Sequence, residues 1–206
     1  LVQGVWGNGR IDFGLLSVVA RSPEDSLSVD RLDVSQRGLV ILGGYCGSPD
    51  VLSNAADIPL RGLILASMDS ALAPVAAKMH YPIILIEGFG KIPMNTRAYR
   101  LLSTNDRREI AVIAEEWDPL AESRPEVIIP LPASSQLPLP NEANHFAPGQ
   151  QVRLLSAPYQ GMTGTLLSLQ PGMVVLPSGV RATAADVRLE NGENIVFPLA
   201  NLDVLE

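Results

Sequence analysis

Short apolar runs alternate with helix-like segments through the first part of the chain. The runs at 37–44, 61–67 and 81–90 are continuously apolar in their centres and end in glycine or serine. The segment at 48–58 begins with a Ser-Pro-Asp cap, and the segment at 70–79 has a proline in its first turn, so both are expected to be helical. Apolar runs of strand length that are separated by helices are typical of parallel strands buried on both faces. The pattern therefore predicts a parallel β-sheet with helical crossovers.

Further elements are predicted on either side of this pattern. They are a glycine turn followed by a strand within 4–20, strands at 108–116 and 125–131, a short strand or sheet edge at 25–34, and a helix at 95–105. Asn95 is expected to cap the helix. Pro130 cannot donate a ladder hydrogen bond, which favours an edge position for the last strand. Residues 1–131 are thus predicted to form a three-layer α/β domain with a largely parallel sheet.

A proline-rich stretch follows at 132–145. It contains three prolines and few apolar residues, and it has no periodicity. This composition is typical of a linker. It separates the α/β domain from a second region, 146–206.

The second region is predicted to be a small all-β domain of five short strands. Apolar positions alternate on both sides of a turn at 158–164, in which Gly161 and Gly164 can supply positive φ. A further strand is predicted at 172–177. The Asn191-Gly192 dipeptide predicts a hairpin with a two-residue loop between 187–190 and 193–197. This size and strand number are typical of an SH3-like barrel.

Part of the second region resembles a known motif. The stretch "PGQQVRLLSAPYQGMTGTLLSL" is similar to the KOW motif of the transcription factor NusG and of several ribosomal proteins. The matching positions are Gly149, Val152, Arg153, Pro158, Tyr159, Gly161 and Gly164. The resemblance implies an SH3-like barrel whose exposed loops bind RNA or protein. Residues 146–206 depart from RNA-binding members, because three Arg and no Lys against two Asp and three Glu leave a net charge of −2.

A second resemblance covers residues 37–90. The run "ASMDSALAPVAAKMHYPIILIEGFG" is similar to the swivelling phosphohistidine domain of phosphoenolpyruvate-using enzymes. Ala71 or one of its neighbours stands where the phosphorylated histidine of that family would fall. The resemblance implies a β/α fold, and the missing histidine argues against phosphotransfer.

Composition limits the classes of function. Of 206 residues, 47% are apolar and 18% are charged, which indicates a folded chain. The net charge of −7 argues against nucleic acid as the main partner. A single cysteine, the absence of an apolar run long enough to span a membrane, and no visible signal peptide favour a cytoplasmic protein. Because the chain begins at Leu1, it is also expected to be the C-terminal part of a longer protein.

Polar residues follow three of the predicted parallel strands. In an open parallel sheet the carboxyl ends of the strands lie at one edge, where ligands bind. The segments 43–48, 67–70 and 87–95 are therefore expected to converge there. The candidate ligand- or partner-binding residues are Cys46, Ser48, Ser67, Asp69, Ser70, Glu87, Lys91 and Asn95. The same residues are also suited to ordinary loops and helix caps.

Several chemistries are not supported by the sequence. The glycine-rich loops lack both common nucleotide-binding fingerprints, so no cofactor is expected. Two histidines and one cysteine do not provide a usual structural zinc site. Cys46 and His80 are expected at opposite edges of the sheet, so no catalytic residues are assigned.

Three hypotheses of function remain. The first is a non-enzymatic binding or scaffold module whose partner is a protein. The second is an enzyme or a small-molecule binder that uses the strand-end crevice at 43–48, 67–70 and 87–95. The third is an RNA- or transcription-associated KOW protein, which the acidity of the chain disfavours.

Overall fold

The computed structural model describes residues 1–118, 123–130 and 146–205. The chain divides into two compact units, Leu1–Ser135 and Gln136–Glu206. The predicted linker at 132–145 lies outside the described residues. Within the described parts of the chain, no helix has the length and apolar character needed to cross a bilayer.

The first unit is a mixed α/β structure with a large sheet and short helices. Its strands are β1 (Val2–Gln3), β2 (Trp6–Gly7), β3 (Ile11–Val18), β4 (Leu39–Leu42), β5 (Tyr45–Cys46), β6 (Gly62–Met68), β7 (Ile83–Phe89), β8 (Glu109–Ile113) and β9 (Glu126–Ile128). Its α-helices are α1 (Pro49–Asp57), α2 (Ala73–Ala76) and α3 (Thr96–Ser103). The helices predicted at 48–58 and 95–105 thus form, while 70–79 contains only a 3₁₀ turn and one turn of α-helix.

The sheet is mixed, not largely parallel as the sequence predicts. The strand order is β1-β9-β8-β3-β4-β6-β7-β2, and β5 also pairs with β6. The four central strands, β3, β4, β6 and β7, are parallel to one another. On the β3 side, the sheet continues through β8, β9 and β1 by antiparallel pairing. On the β7 side, β2 is added antiparallel. Residues of β8 alternate between buried and more exposed positions, which suits an antiparallel strand with one partly solvated face.

Helices cover the parallel centre of the sheet on both faces. Alternate residues of β4, β6 and β7, such as Ile41 and Leu63, pack with α1 and α2 in one apolar cluster. The intervening residues, such as Val40 and Ile64, pack with Ala98 and Leu102 of α3 in a second cluster. This arrangement has three layers, and it explains why the central strands read as continuous apolar runs.

Residues 25–34 do not form a strand. The segment contains 3₁₀ turns at Val29–Arg31 and Val34–Gln36, and Asp33 caps the second turn. The alternation that predicts a strand reflects two buried leucines, Leu27 and Leu32, which attach the segment to the first apolar cluster. Main-chain pairing in this segment is confined to an isolated bridge between Ser26 and Tyr45.

The strand predicted at 125–131 is also not at the sheet edge. It forms β9, which pairs with β8 on one side and with the two-residue β1 on the other. Pro130 lies beyond the end of β9, so the strand loses no ladder hydrogen bond to it.

The second unit is an antiparallel sheet of five strands. They are β10 (Gln151–Leu154), β11 (Thr163–Val175), β12 (Arg181–Leu189), β13 (Asn194–Pro198) and β14 (Leu202–Leu205). The order is β13-β12-β11-β10-β14, so the last strand lies beside the first. A 3₁₀ turn at Leu199–Asn201 joins β13 to β14. Val152, Leu166, Val187 and Phe197 belong to its apolar core.

Two local predictions for this unit need correction. The segment 172–177 is not a separate strand: most of it is the far end of β11, which pairs with β12 on both sides of a register shift between Leu169 and Met173. The hairpin between β12 and β13 forms, but its loop has three residues. Leu189 N donates to Glu193 O at 2.8 Å, and Gly192 N donates to Leu189 O at 2.9 Å. Gly192 has φ +87°, as expected for a turn that ends in a glycine bulge.

Candidate functional site

The three strand-end segments named by the sequence lie at one edge of the first sheet. Strands β4, β6 and β7 are parallel, so their carboxyl ends share this edge. Tyr45 and Cys46 pair with Ser67 and Met68 of β6. Gly90 N donates to Met68 O at 2.9 Å, which joins the third segment to the second. The structure therefore brings 43–48, 67–70 and 87–95 together.

Ser67 is used to hold this edge together. Its side chain is fully buried. Ser67 Oγ donates to Ile92 O at 2.7 Å and accepts from Ile92 N at 3.1 Å. The hydroxyl thus both donates to and accepts from the neighbouring loop, and because Ser67 is fully buried it is not accessible to a ligand.

Glu87 and Asn95 are buried and bonded to each other. Glu87 Oε1 accepts from Asn95 N at 2.8 Å and from Asn95 Nδ2 at 2.6 Å. Asn95 Oδ1 in turn accepts from Ala98 N at 2.8 Å and caps α3. The expected cap is therefore present, and the carboxylate orients it.

Two further candidates cap helical turns. Ser48 Oγ accepts from Asp50 N at 3.2 Å at the start of α1. Asp69 Oδ1 accepts from Ala71 N at 2.9 Å at the start of the 3₁₀ turn that follows β6. These oxygens satisfy backbone N–H groups that a helix start leaves without partners.

Cys46 is a buried thiol. Its Sγ lies 3.6 Å from Ser48 O, to which it donates. Burial raises the pKa of the Cys46 thiol, and the contact with Ser48 offsets this in part. His80 is exposed and precedes β7, at the opposite edge of the sheet, so the two do not form a nucleophile–base pair.

Lys91 and Ser70 are the exposed members of the predicted set. The Lys91 ammonium lies 6.0 Å from the centre of the Tyr45 ring, a cation–π geometry. This contact places the Lys91 ammonium near Tyr45 of the segment 43–48. Among the predicted site residues, this edge of the sheet therefore exposes Lys91 and Ser70, and the others cap helical turns or are buried.

Residues 21–27, which lie outside the three predicted site segments, cross this edge of the sheet. Asp25 O accepts from Tyr45 N at 2.8 Å, and Leu27 N donates to Tyr45 O at 2.8 Å. Met94 N donates to Pro23 O at 2.9 Å. We call residues 21–27 the strap. It binds the strand-end loops with main-chain hydrogen bonds, so the chain itself takes up part of the predicted ligand edge.

Gly44 is the residue in the sequence that could have indicated the crossing of the strap. A Cβ atom at Gly44 would lie 1.8 Å from Asp25 O, so only glycine fits where the two backbones cross. Gly44 is therefore required for a close approach of two backbones, and does not only end a strand.

In the second unit, the opening residues of the KOW-like motif are largely structural. Gly149 has φ +92° at the turn before β10. Val152 is fully buried, and Arg153 is almost fully buried. The Arg153 guanidinium lies 3.2 Å from the Asp203 carboxylate of β14.

The central residues of the motif form the loop between β10 and β11. Gly161 has φ +82°, and its N–H donates to Leu154 O at 2.9 Å. Pro158 is exposed, and Tyr159 packs edge-to-face on Phe197 at 6.2 Å. Of the two glycines that could supply positive φ in this turn, Gly161 does so and Gly164 does not. A Cβ there would lie 2.7 Å from Arg188 O, so glycine is needed for the approach of β12.

A groove of about 580 Å³ opens beside this loop. It is lined mainly by apolar side chains, namely Tyr159, Gln170, Val174, Val175, Leu176, Pro177, Ile195 and Val196. Val175 and Val196 are 67% and 46% exposed. The groove therefore presents exposed apolar side chains that a partner could bury.

Apart from Tyr159, the groove residues are absent from the sequence-based site assignment. The available signal is the run Val174-Val175-Leu176, because a half-buried strand needs an apolar residue only at alternate positions. The second wall comes from β13, and only the fold brings it next to the end of β11.

Within the parts of the chain that the structure describes, no cluster of His, Cys, Asp and Glu side chains is arranged to hold a metal ion. Comparison of the chain with protein-family models, with curated proteins and with solved structures finds no match.

Proposed function

We propose that this chain is a non-enzymatic binding module and that its partner is a protein, which binds the groove of the second unit. The observation that carries this proposal is the exposed apolar lining of the groove, above all Val175 and Val196. Burial of the exposed part of these aliphatic side chains favours association through the hydrophobic effect.

We further propose that the second unit is an SH3-like barrel of the KOW type. Three features support this assignment. The strands are antiparallel in the order β13-β12-β11-β10-β14, a 3₁₀ turn precedes the last strand, and the last strand pairs with the first. The first unit then serves as the scaffold, and its swivel-like character rests on the sequence resemblance.

Binding of RNA is the weaker alternative. Arg153, the basic residue of the KOW-like motif, is buried in an ion pair with Asp203. Arg181 and Arg188 are exposed, but so are Glu190 and Glu193. Neutralisation of phosphates needs a basic surface, which this balance does not provide.

An enzymatic or small-molecule site at the strand-end edge is also less favoured. Ser67, Glu87 and Asn95 are buried, and they hydrogen-bond to one another or to the backbone. Ser48 and Asp69 act as caps. A catalytic group needs a free functional atom within reach of the substrate.

Selection from a displayed random-peptide library tests the proposal. The purified protein serves as bait, and the enriched peptides are then titrated against wild type, Val196→Asp and Val34→Asp by fluorescence anisotropy. Val34 is an exposed valine of the first unit, 78% accessible, and provides a matched control. We expect Val196→Asp to weaken binding by roughly tenfold or more and Val34→Asp to leave it unchanged. A selection that enriches no peptide, or peptides that bind Val196→Asp as tightly as wild type, would contradict the proposal.

A further inference from the structure

Strand β13 lies at the edge of the second sheet, and one of its sides has no neighbouring strand among residues 146–205. The bond from Leu189 N to Glu193 O fixes which residues of β13 face β12. Because antiparallel pairs alternate between bonded and non-bonded positions, Ile195 and Phe197 exchange hydrogen bonds with β12. The backbone N–H and C=O groups of Asn194 and Val196 are therefore directed outward.

The same strand forms a wall of the apolar groove. Ile195 and Val196 line the groove together with residues 174–177 of the facing hairpin. An extended chain that pairs with β13 would direct every second side chain toward one face of the new strand. One extended peptide could therefore pair with the outward-facing backbone groups of β13 and place apolar side chains in the adjacent groove.

Charge defines the occupant further. Glu190 and Glu193 are exposed at the turn end of β13, and the nearby Arg188 donates to Asn194 Oδ1 at 3.3 Å. Glu190 accepts a hydrogen bond from Thr163 Oγ1, and Glu193 Oε1 lies 3.5 Å from the Tyr159 hydroxyl, so both carboxylates contact neutral hydroxyl groups. Two carboxylates and one guanidinium leave this end of the strand with a net negative charge. A basic residue in the occupant would be complementary to it.

We propose that β13 binds an extended segment of a partner protein as an added sixth strand, with apolar side chains in the groove and a basic residue near Glu193. This inference rests on the proposed function and names the chemistry of its partner. Pro198 has no N–H to offer at the far end, so the pairing is limited to about the length of β13 itself. Backbone pairing supplies affinity in this mode, and the alternate side chains supply specificity.

The experiment measures the binding of synthetic peptides of defined sequence to the full 206-residue chain. The probe is an acetylated and amidated peptide of repeated valine–lysine pairs. One control peptide carries N-methyl groups on alternate backbone nitrogens, and a second replaces lysine by glutamate. Binding is measured by anisotropy, and the contact is located from amide hydrogen exchange of Asn194 and Val196.

We expect the valine–lysine peptide to bind and to slow exchange at Asn194 and Val196. N-methylation and replacement by glutamate should each weaken binding by roughly tenfold. The variant Glu193→Gln should lose part of the preference for lysine over glutamate, whereas Glu115→Gln, at an exposed position in the first unit, should not.

The outcomes separate the two proposals. If Val196→Asp abolishes binding of the selected peptides but N-methylation of the valine–lysine peptide has no effect, the groove binds protein and the added strand is wrong. If no peptide depends on Val196, the proposed function itself fails. If a uridine oligonucleotide protects Asn194 and Val196 and no peptide does, the site is for nucleic acid and both proposals are overturned.

Discussion

The Glu87 carboxylate orients Asn95 through two hydrogen bonds, from the Asn95 backbone N–H and from its side-chain amide, at 2.8 Å and 2.6 Å. Asn95 Oδ1 then caps α3 by accepting from Ala98 N. Two residues that the sequence names as ligand candidates are thus a buried tie between the end of β7 and the start of α3.

Removal of this tie should destabilise the first unit. We expect Glu87→Ala to lower the free energy of unfolding by about 2–3 kcal/mol, because it leaves buried donors of Asn95 without an acceptor. Glu87→Gln should cost less, since its amide oxygen can still accept. Urea denaturation measures both, and Glu115→Ala, an exposed glutamate, should change the stability by less than about 0.5 kcal/mol. Equal stability of Glu87→Ala and Glu115→Ala would contradict this role.

Gly44 should tolerate no side chain. Its Cβ would overlap Asp25 O at 1.8 Å, and Asp25 O is a backbone atom that no side-chain rotation can move away, so Gly44→Ala must move the strap. We expect a loss of more than about 2 kcal/mol by chemical denaturation. Gly62→Ala is the matched control, because Gly62 is also buried at a strand but its Cβ would meet neighbours at an ordinary 3.4 Å. Similar effects of the two substitutions would show that the strap does not lie against Gly44.

The β12–β13 loop should depend on positive φ at Gly192. Its Cβ would meet no atom within 4 Å, so the cost of a substitution there is purely that of backbone conformation. We expect Gly192→Val to lower stability by roughly 1–2 kcal/mol and Gly192→Asn to lower it by less, because asparagine accepts the left-handed region more readily. Thermal melting compares the two variants. A valine variant as stable as the asparagine variant would be incompatible with φ +87°.

Asp25 should make the stability of the first unit sensitive to acid. Burial raises the pKa of Asp25, but hydrogen bonds from Arg21 N and from the Arg31 guanidinium outweigh it, so the pKa lies below its ordinary value. A carboxyl with a lowered pKa stabilises the fold fully above about pH 4, and this stabilisation is lost as the pH falls through the lowered value.

Asp25→Asn should therefore be less stable than wild type at neutral pH, and the difference should shrink below about pH 4. Melting temperatures over this range provide the measurement. Asp57→Asn, at an exposed residue of α1, controls for the general effect of protonating carboxylates. A difference between wild type and Asp25→Asn that stays constant with pH would rule out the ion pair with Arg31 as its origin.

Local patterns in the sequence were sufficient for much of the architecture. The continuous apolar runs predict β4, β6 and β7 because strands covered on both faces need apolar residues at every position. Ser48 and Asn95 predict the starts of α1 and α3 because a helix start has N–H groups that a short polar side chain can satisfy. These effects act within a few residues, so they can be read without knowledge of the fold.

What the sequence did not decide depends on contacts between distant residues. The strap crosses at Gly44, β8 pairs antiparallel with β3, and β9 is covered by β1, and none of these pairings leaves a local periodic pattern. The groove has the same origin, because Val174 and Val196 lie on strands that meet only through the sheet order. Sequence alone therefore determined the central strands and the capped starts of α1 and α3, but not segments such as 25–34, which forms 3₁₀ turns where a strand is predicted. The tertiary structure decided which polar groups are buried in ties and which apolar side chains remain exposed, because burial depends on neighbours that are remote in the chain.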